Sequence, residues 1–148
     1  MPWLIVVIIA SFFADRSGVP LLPLPGWLSY LTCALLAVLG TSLLVLGMKA
    51  CPLRILGGRD KSVLIRKGVY SHIRHPICLS CILLAFSAAV GFRSTIGLSI
   101  AILAVVIAYV HASFEERELE RRFGRAYRQY KSRVGMFVPK RKTTRALE

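Results

Sequence analysis

Two short clusters of ionisable residues, each set against a long apolar run, carry what chemistry this chain can do. The first is Gly68-Val69-Tyr70-Ser71-His72-Ile73-Arg74-His75-Pro76. The second begins at Glu115-Glu116 and runs through Arg117, Arg121, Phe123-Gly124 and Tyr127 to Tyr130. Ionisable side chains at a membrane border are costly to desolvate, so each needs a partner or a role. Pro76 stops a preceding helix and can open the next. Arg74 and His75 then stand beside the unpaired N–H groups of a helix N-terminus, a corner suited to a carboxylate or phosphate. The competing reading is an interfacial Arg-His pair touching lipid headgroups. The paired glutamates can hold a cation or an ammonium group; the competing reading is a salt bridge from Glu116 to Arg74 or Lys67.

The elements that must position these clusters are apolar helices. Trp27 to Met48 carries no charge, and Ser94 to Phe114 has only His111 as an ionisable residue. Each meets the length of about 20 apolar residues that a transmembrane helix requires. Ile77 to Phe92 is shorter and can begin at Pro76. Trp3 to Ala14 is shorter still: a short span, a re-entrant piece or a truncated helix. A signal peptide is disfavoured there, because no basic segment precedes the run and Asp15-Arg16 follows it without a small-residue cleavage site. Pro20, Pro23 and Pro25 make a stiff connection, and Gly57-Gly58 reads as a turn.

Composition agrees. Hydrophobic residues make up 55% of the 148 residues, above the roughly 45–50% of soluble domains. The net charge of +13 would suggest nucleic acid on a soluble protein. Beside apolar spans it reports topology and anionic lipid instead. The segment Lys49 to His75 holds seven Lys and Arg residues against Asp60 alone, and the tail after Phe114 is richer still. Both therefore belong on the cytoplasmic side. The expectation is a single-domain, all-α integral membrane protein. It has about four transmembrane helices, a cytoplasmic C-terminal amphipathic helix, both termini inside, and a disordered basic tail over 140–148.

At 100° per residue, an unbroken helix places Leu119, Phe123, Tyr127, Tyr130 and Val134 within an arc of about 80°. Arg117, Arg121, Arg125 and Arg128 fall on the far side. Such a stripe usually means packing. Glu116 falls inside the arc, with Glu115 at its edge.

The two clusters, split by a membrane hairpin, resemble the isoprenylcysteine carboxyl methyltransferase and phospholipid methyltransferase superfamily. The resemblance rests on Gly68-x-Tyr70-x-x-x-Arg74-His75-Pro76 and on Glu115-Glu116-x-x-Leu119-x-x-x-Phe123-Gly124-x-x-Tyr127-x-x-Tyr130-x-x-Arg133-Val134, ending at Pro139. It covers residues 63–139. It implies an S-adenosylmethionine-dependent membrane enzyme acting on a lipid-linked carboxylate or a phospholipid amine that enters from the bilayer between helices. It also implies that Arg74, Glu116 and Arg133 serve catalysis. Tyr70, His75, Pro76, Cys78, Glu115, Glu116, Tyr127 and Tyr130 would hold the cofactor, with His75 and nearby N–H groups on its carboxylate and Glu115 or Glu116 on its ammonium. Tyr127, Tyr130 and Arg133 would close the pocket. Cys78 stands where the family usually has tyrosine, and Ser80 where it usually has glycine.

The bottom-up reading is compatible. A sulfonium methyl is already activated, so alignment and water exclusion supply much of the rate. A carboxylate acceptor needs no base, whereas a protonated amine does, and a glutamate or His111 could serve. No Rossmann glycine fingerprint is present. Cys33, Cys51, Cys78 and Cys81 read as small membrane-compatible residues, because the C-x-x-C lacks a second pair and a redox fold. No metal is expected. His72 and His111 read as interfacial packing. Two other functions remain: a nicotinamide-dependent sterol-type reductase of related architecture, and a non-enzymatic scaffold that binds anionic lipid.

Overall fold

The computed structural model describes residues 22–51 and 63–140, together with Ile5, Val6 and Ile9. The short first span expected at Trp3 to Ala14 lies outside all but those three. The Gly57-Gly58 turn and the chain beyond Lys140 lie outside as well. Four α-helices follow in order: α1 (Gly26–Ala50), α2 (Pro76–Gly91), α3 (Thr95–Phe123) and α4 (Arg125–Arg133), with a 3₁₀ turn at Gly68–Ser71 before α2. The described residues form no strand, only an isolated parallel bridge between Ile73 and Gly135.

α1 and α3 are long and apolar enough to cross a membrane, and α2 is apolar but has 16 residues. At about 1.5 Å per residue α2 spans some 24 Å, less than a hydrocarbon core of about 30 Å. Two helices of spanning length and one shorter apolar helix are thus seen where three spans were expected. Large apolar side chains such as Leu31, Leu35, Val38, Ile102, Leu103 and Val106 point outward. Water does not favour a surface of this kind and lipid does.

Small residues let the helices approach. α1 and α2 pack antiparallel, with Gly47 on Ile77, Gly40 on Ser80 and Leu84, and Gly91 on Cys33. A Cβ at Gly40 would stand 3.0 Å from the Leu84 side chain and 3.2 Å from the Ser80 carbonyl. Ser87 Oγ donates to the Cys33 carbonyl at 2.9 Å, which satisfies a hydroxyl buried among apolar atoms. α3 turns Ala101, Ala104, Ala108 and Ala112 inward, and Ala101 packs on Ala85 of α2. Ser94 caps α3 by accepting from the Gly97 N–H at 2.9 Å.

α3 runs without a break from the apolar stretch into the charged one, as expected, but stops at Phe123. Gly124 takes φ 51°, a conformation glycine adopts at little cost, and α4 starts afresh. The stripe survives the break: Tyr127, Tyr130 and Val134 are buried together against Leu64, Leu119 and Phe123. Lys140, expected to open the basic tail, instead donates from Nζ to the Lys131 carbonyl at 3.0 Å. It thereby covers the open carbonyl end of α4.

Candidate functional site

The two charged clusters meet at one end of the helix bundle. Pro76 occupies the first turn of α2 with His75 at the N-cap position. The segment after α4 fixes this corner. Arg74 N–H donates to the Gly135 carbonyl at 2.9 Å and His75 N–H to the Met136 carbonyl at 3.1 Å. Those two N–H groups are therefore occupied, contrary to a carboxylate site that used them. The Leu79 N–H bonds back to His75. Pro76 has no N–H, so Ile77 and Cys78 supply the unpaired donors of this helix end.

Glu116 is 3% exposed. Its Oε1 lies 3.0 Å from Arg74 Nη1 and 3.4 Å from His75 Nε2, and its Oε2 lies 3.1 Å from Lys131 Nζ. Of the two partners considered from the sequence, Arg74 is observed. Lys131 was missed, because the break at Gly124 changes the phase of α4 relative to an unbroken helix. Glu115 differs: its side chain is 49% exposed, and Oε2 lies 3.5 Å from His75 Nδ1. The imidazole thus stands between two carboxylates. Burial nevertheless holds its pKa below the ordinary histidine value, outweighing the upward pull of Glu115 and Glu116.

A cavity of about 270 Å³ opens here. Tyr70, Arg74, His75, Pro76, Cys78 and Glu115 line it from the loop and helices α2 and α3; Tyr127 and Tyr130 close it from α4. Leu64, Ile65, Ile77 and Leu119 add apolar wall. Cys51 and His111 also reach it; the sequence offers His111 only as a base for an amine acceptor and does not single out Cys51. Glu116 and Arg133 are not among its lining residues. Glu116 sits behind the wall, holding Arg74. Arg133 is exposed at the end of α4, because Tyr127 and Tyr130 take the inward face of that short helix.

Among the described residues, several buried polar atoms of the site make no hydrogen bond: Arg74 Nε and Nη1, His75 Nε2, Glu116 Oε1 and the Tyr127 hydroxyl. The close Arg74–Glu116 approach is an ion pair without hydrogen-bond alignment. Buried polar atoms are nearly always paired; here Arg74 Nη1 and His75 Nε2 face Glu116 Oε1 at ion-pair distance, and Arg74 Nε and the Tyr127 hydroxyl beside the cavity make no hydrogen bond among the described residues. Burial raises the phenols of Tyr70 and Tyr127, and raises Tyr130 to about 12. All three are donors at neutral pH; the Tyr130 hydroxyl already donates a hydrogen bond to the Tyr70 carbonyl at 2.7 Å. Among the described residues no group of three or more His, Cys, Asp or Glu side chains could hold a metal.

Apolar helices of membrane length, closed at one end by a charged cavity, define a membrane-helix protein. Residues 26–126 match the phospholipid methyltransferase family. That stretch runs from the first residue of α1 past Arg74, His75, Glu115 and Glu116 to the start of α4. The chain therefore belongs to this family, as the paired motifs implied. It is also similar to methanethiol S-methyltransferase 1 of Bradyrhizobium diazoefficiens, at 40% identity over 76 residues, 51% of this chain and 26% of that protein. The chain thus matches about a quarter of the length of this relative. No solved structure matches it.

Proposed function

We propose that this protein is an S-adenosylmethionine-dependent membrane methyltransferase. One observation carries the reading. A single cavity gathers a guanidinium, a helix N-terminus and a carboxylate, and among the described residues Arg74 Nε and the Tyr127 hydroxyl beside it make no hydrogen bond. That donor set fits a zwitterionic amino-acid group. Arg74, the Tyr127 hydroxyl and the Ile77 and Cys78 N–H groups would hold its carboxylate. Glu115 would hold its ammonium. Tyr70, Tyr130, Leu64 and Ile65 would flank the remainder. The cofactor, when bound, supplies an electrophilic methyl group.

The protein's residues then have ordinary tasks. Arg74 fixes orientation, and Glu116 holds Arg74 in place. The aromatic residues of α4 exclude water, which strengthens each electrostatic contact. The acceptor is a membrane-partitioned molecule that enters between helices: an isoprenylcysteine-like carboxylate or a phospholipid amine. The match to a methanethiol S-methyltransferase favours a second acceptor reading, a thiol. Four crossings with the site on the cytoplasmic side belong to the same proposal, and the basic residues around the site support that orientation. These residues also suit contact with anionic lipid.

Calorimetric titration of S-adenosylmethionine into detergent-purified protein tests the reading, with Glu115→Gln and His75→Ala alongside. Saturable binding that weakens in both variants is expected. Well-folded protein that binds none would remove the reading in favour of the reductase or scaffold.

A further inference from the structure

α4 brings Tyr127 and Tyr130 to the cavity, yet the chain enters this helix through a glycine. Gly124 has φ 51° and ψ −121°, and a Cβ there would meet nothing within 4 Å. No side chain fixes the angle between α3 and α4 at that point. The apolar cluster of Tyr127, Tyr130 and Val134 seats the helix, and the strap beyond it is pinned at Gly135 and Met136. Apolar packing is not directional, so the pitch of α4 over the cavity depends on a polar tie.

Lys131 supplies that tie. α4 carries four cations and no acid. Among the described residues, Lys131 is the one cation of α4 that reaches a buried carboxylate. Its Nζ lies 3.1 Å from Glu116 Oε2 and 3.7 Å from Glu120 Oε2. Those glutamates stand one turn apart on α3, so one ammonium clasps α4 to two turns of its neighbour. Lys131 follows Tyr127 by one turn and Tyr130 by one residue, so its place governs where both rings stand. It does not line the cavity itself.

The same carboxylate senses the cavity from its other oxygen. Glu116 Oε1 faces Arg74 Nη1, and Arg74 Nε makes no hydrogen bond among the described residues. A second carboxylate arriving on the guanidinium fork takes a share of the charge that now compensates Glu116. A buried carboxylate has little water to turn to, so Glu116 then draws harder on Lys131 through Oε2.

We propose that Lys131 is a positioning residue that, through Glu116 and Arg74, couples occupation of the cavity to the tightening of α4 over it. This rests on the proposed cofactor reading, because it needs a carboxylate on Arg74. The coupling is reciprocal: a bound cofactor steadies α4, and the clasp slows the cofactor's escape. A half-exposed lysine pair adds little to folding stability, so its loss should appear in ligand exchange and not in unfolding of the ligand-free protein.

The full chain in detergent is compared as wild type, Lys131→Met and Lys131→Arg. Each is titrated with S-adenosylmethionine and its dissociation rate is followed. Amide hydrogen exchange and the thermal midpoint are read with and without cofactor. In wild type the cofactor should slow exchange in α4. Lys131→Met should lose that protection and release cofactor about tenfold faster, within the usual size of coupling between two sites. Its ligand-free midpoint should stay near wild type, and Lys131→Arg should recover both the protection and the slow release. Cofactor binding to wild type that leaves α4 exchange unchanged overturns this proposal alone. So does a Lys131→Met protein with wild-type release and protection, or a Lys131→Arg protein that behaves like Lys131→Met. A ligand-free midpoint that falls in Lys131→Met as far as the cofactor-bound one assigns the lysine to the fold and overturns it too. Folded wild type that binds no cofactor overturns the cofactor reading itself, and this proposal with it.

Discussion

Arg74 Nη1 and Glu116 Oε1 stand 3.0 Å apart, although the whole α2–α3 hairpin separates them in the chain. The contact closes the charged end of the bundle. Lys131 of α4 joins the same carboxylate from the other side at 3.1 Å. Glu116 is therefore shared by the loop before α2, by α3 and by α4. Its neighbour Glu115, turned by one residue, faces the cavity. Two adjacent glutamates thus divide into an internal anchor and a ligand-facing group.

That division predicts opposite outcomes for the same substitution. Glu116→Gln leaves Arg74 as a buried, uncompensated cation, and breaking such a pair costs about 3–5 kcal/mol. A large fall in thermal stability in detergent is expected. Glu115→Gln removes a half-exposed carboxylate and should cost less than about 1 kcal/mol. Its cofactor affinity should nonetheless fall at least about tenfold, the scale of one charge-assisted contact. Thermal unfolding and calorimetry on the two variants check this; a less stable Glu115→Gln would contradict the assignment.

His75 makes stability pH-dependent in a defined direction. Its folded pKa lies below the ordinary histidine value of about 6.5 because it is buried. The unfolded chain therefore takes up the proton first as pH falls, and the folded state loses stability as pH drops from about 6.5 towards the folded pKa. Above 6.5 the group contributes no slope. His75→Gln should flatten this part of the stability curve relative to wild type. Equal slopes for the two proteins between pH 7 and 5 would show that the imidazole is not held neutral.

Much of this arrangement was legible in the sequence, and the limits have physical causes. Pro76 as the start of α2, α3 running on through Glu115-Glu116, and Glu116 lying within the apolar stripe all follow from local rules of period and helix termini. The Arg74–Glu116 pair was one of two options that charge alone left open. Lys131 was invisible because a positive-φ glycine restarts the helix, and Gly124 looked like any helical glycine. The carbonyls of Gly135 and Met136 were equally hidden, since backbone bonding from an irregular segment leaves no pattern in side-chain types. Arg133 illustrates the same limit: a helix of nine residues has room for one inward face, and Tyr127 and Tyr130 occupy it.

Gly135 should be intolerant of any side chain. A Cβ there would collide with the Val138 carbonyl, in the stretch whose carbonyls hold the Arg74 and His75 N–H groups. Gly135→Ala is expected to displace that strap, lower thermal stability and weaken cofactor binding together. Gly124→Ala is the comparison. It meets no atom within 4 Å and bears only the strain of a positive-φ conformation (φ 51°, ψ −121°) nearly confined to glycine, on the order of 1–3 kcal/mol. Its cofactor affinity, corrected for the folded fraction, should stay near wild type. A harmless Gly135→Ala would mean that the segment adapts and does not fix the corner.

The two buried tyrosines of α4 should separate stability from binding. The Tyr130 hydroxyl donates to the Tyr70 carbonyl at 2.7 Å. Tyr130→Phe therefore loses one hydrogen bond, and about 1 kcal/mol of stability should go with it. Tyr127 is 1% exposed, and its hydroxyl, beside Arg74, makes no aligned hydrogen bond among the described residues. Removing an unpaired buried hydroxyl relieves a desolvation cost, so Tyr127→Phe should be neutral or slightly stabilising. If that hydroxyl is a donor kept for the cofactor carboxylate, the same variant should bind S-adenosylmethionine about tenfold more weakly, with unchanged helix content. A Tyr127→Phe protein that is destabilised would reveal a structural bond to the hydroxyl. One that binds as tightly as wild type would remove Tyr127 from the cofactor site and leave Arg74 and the N-terminus of α2 to hold the carboxylate alone.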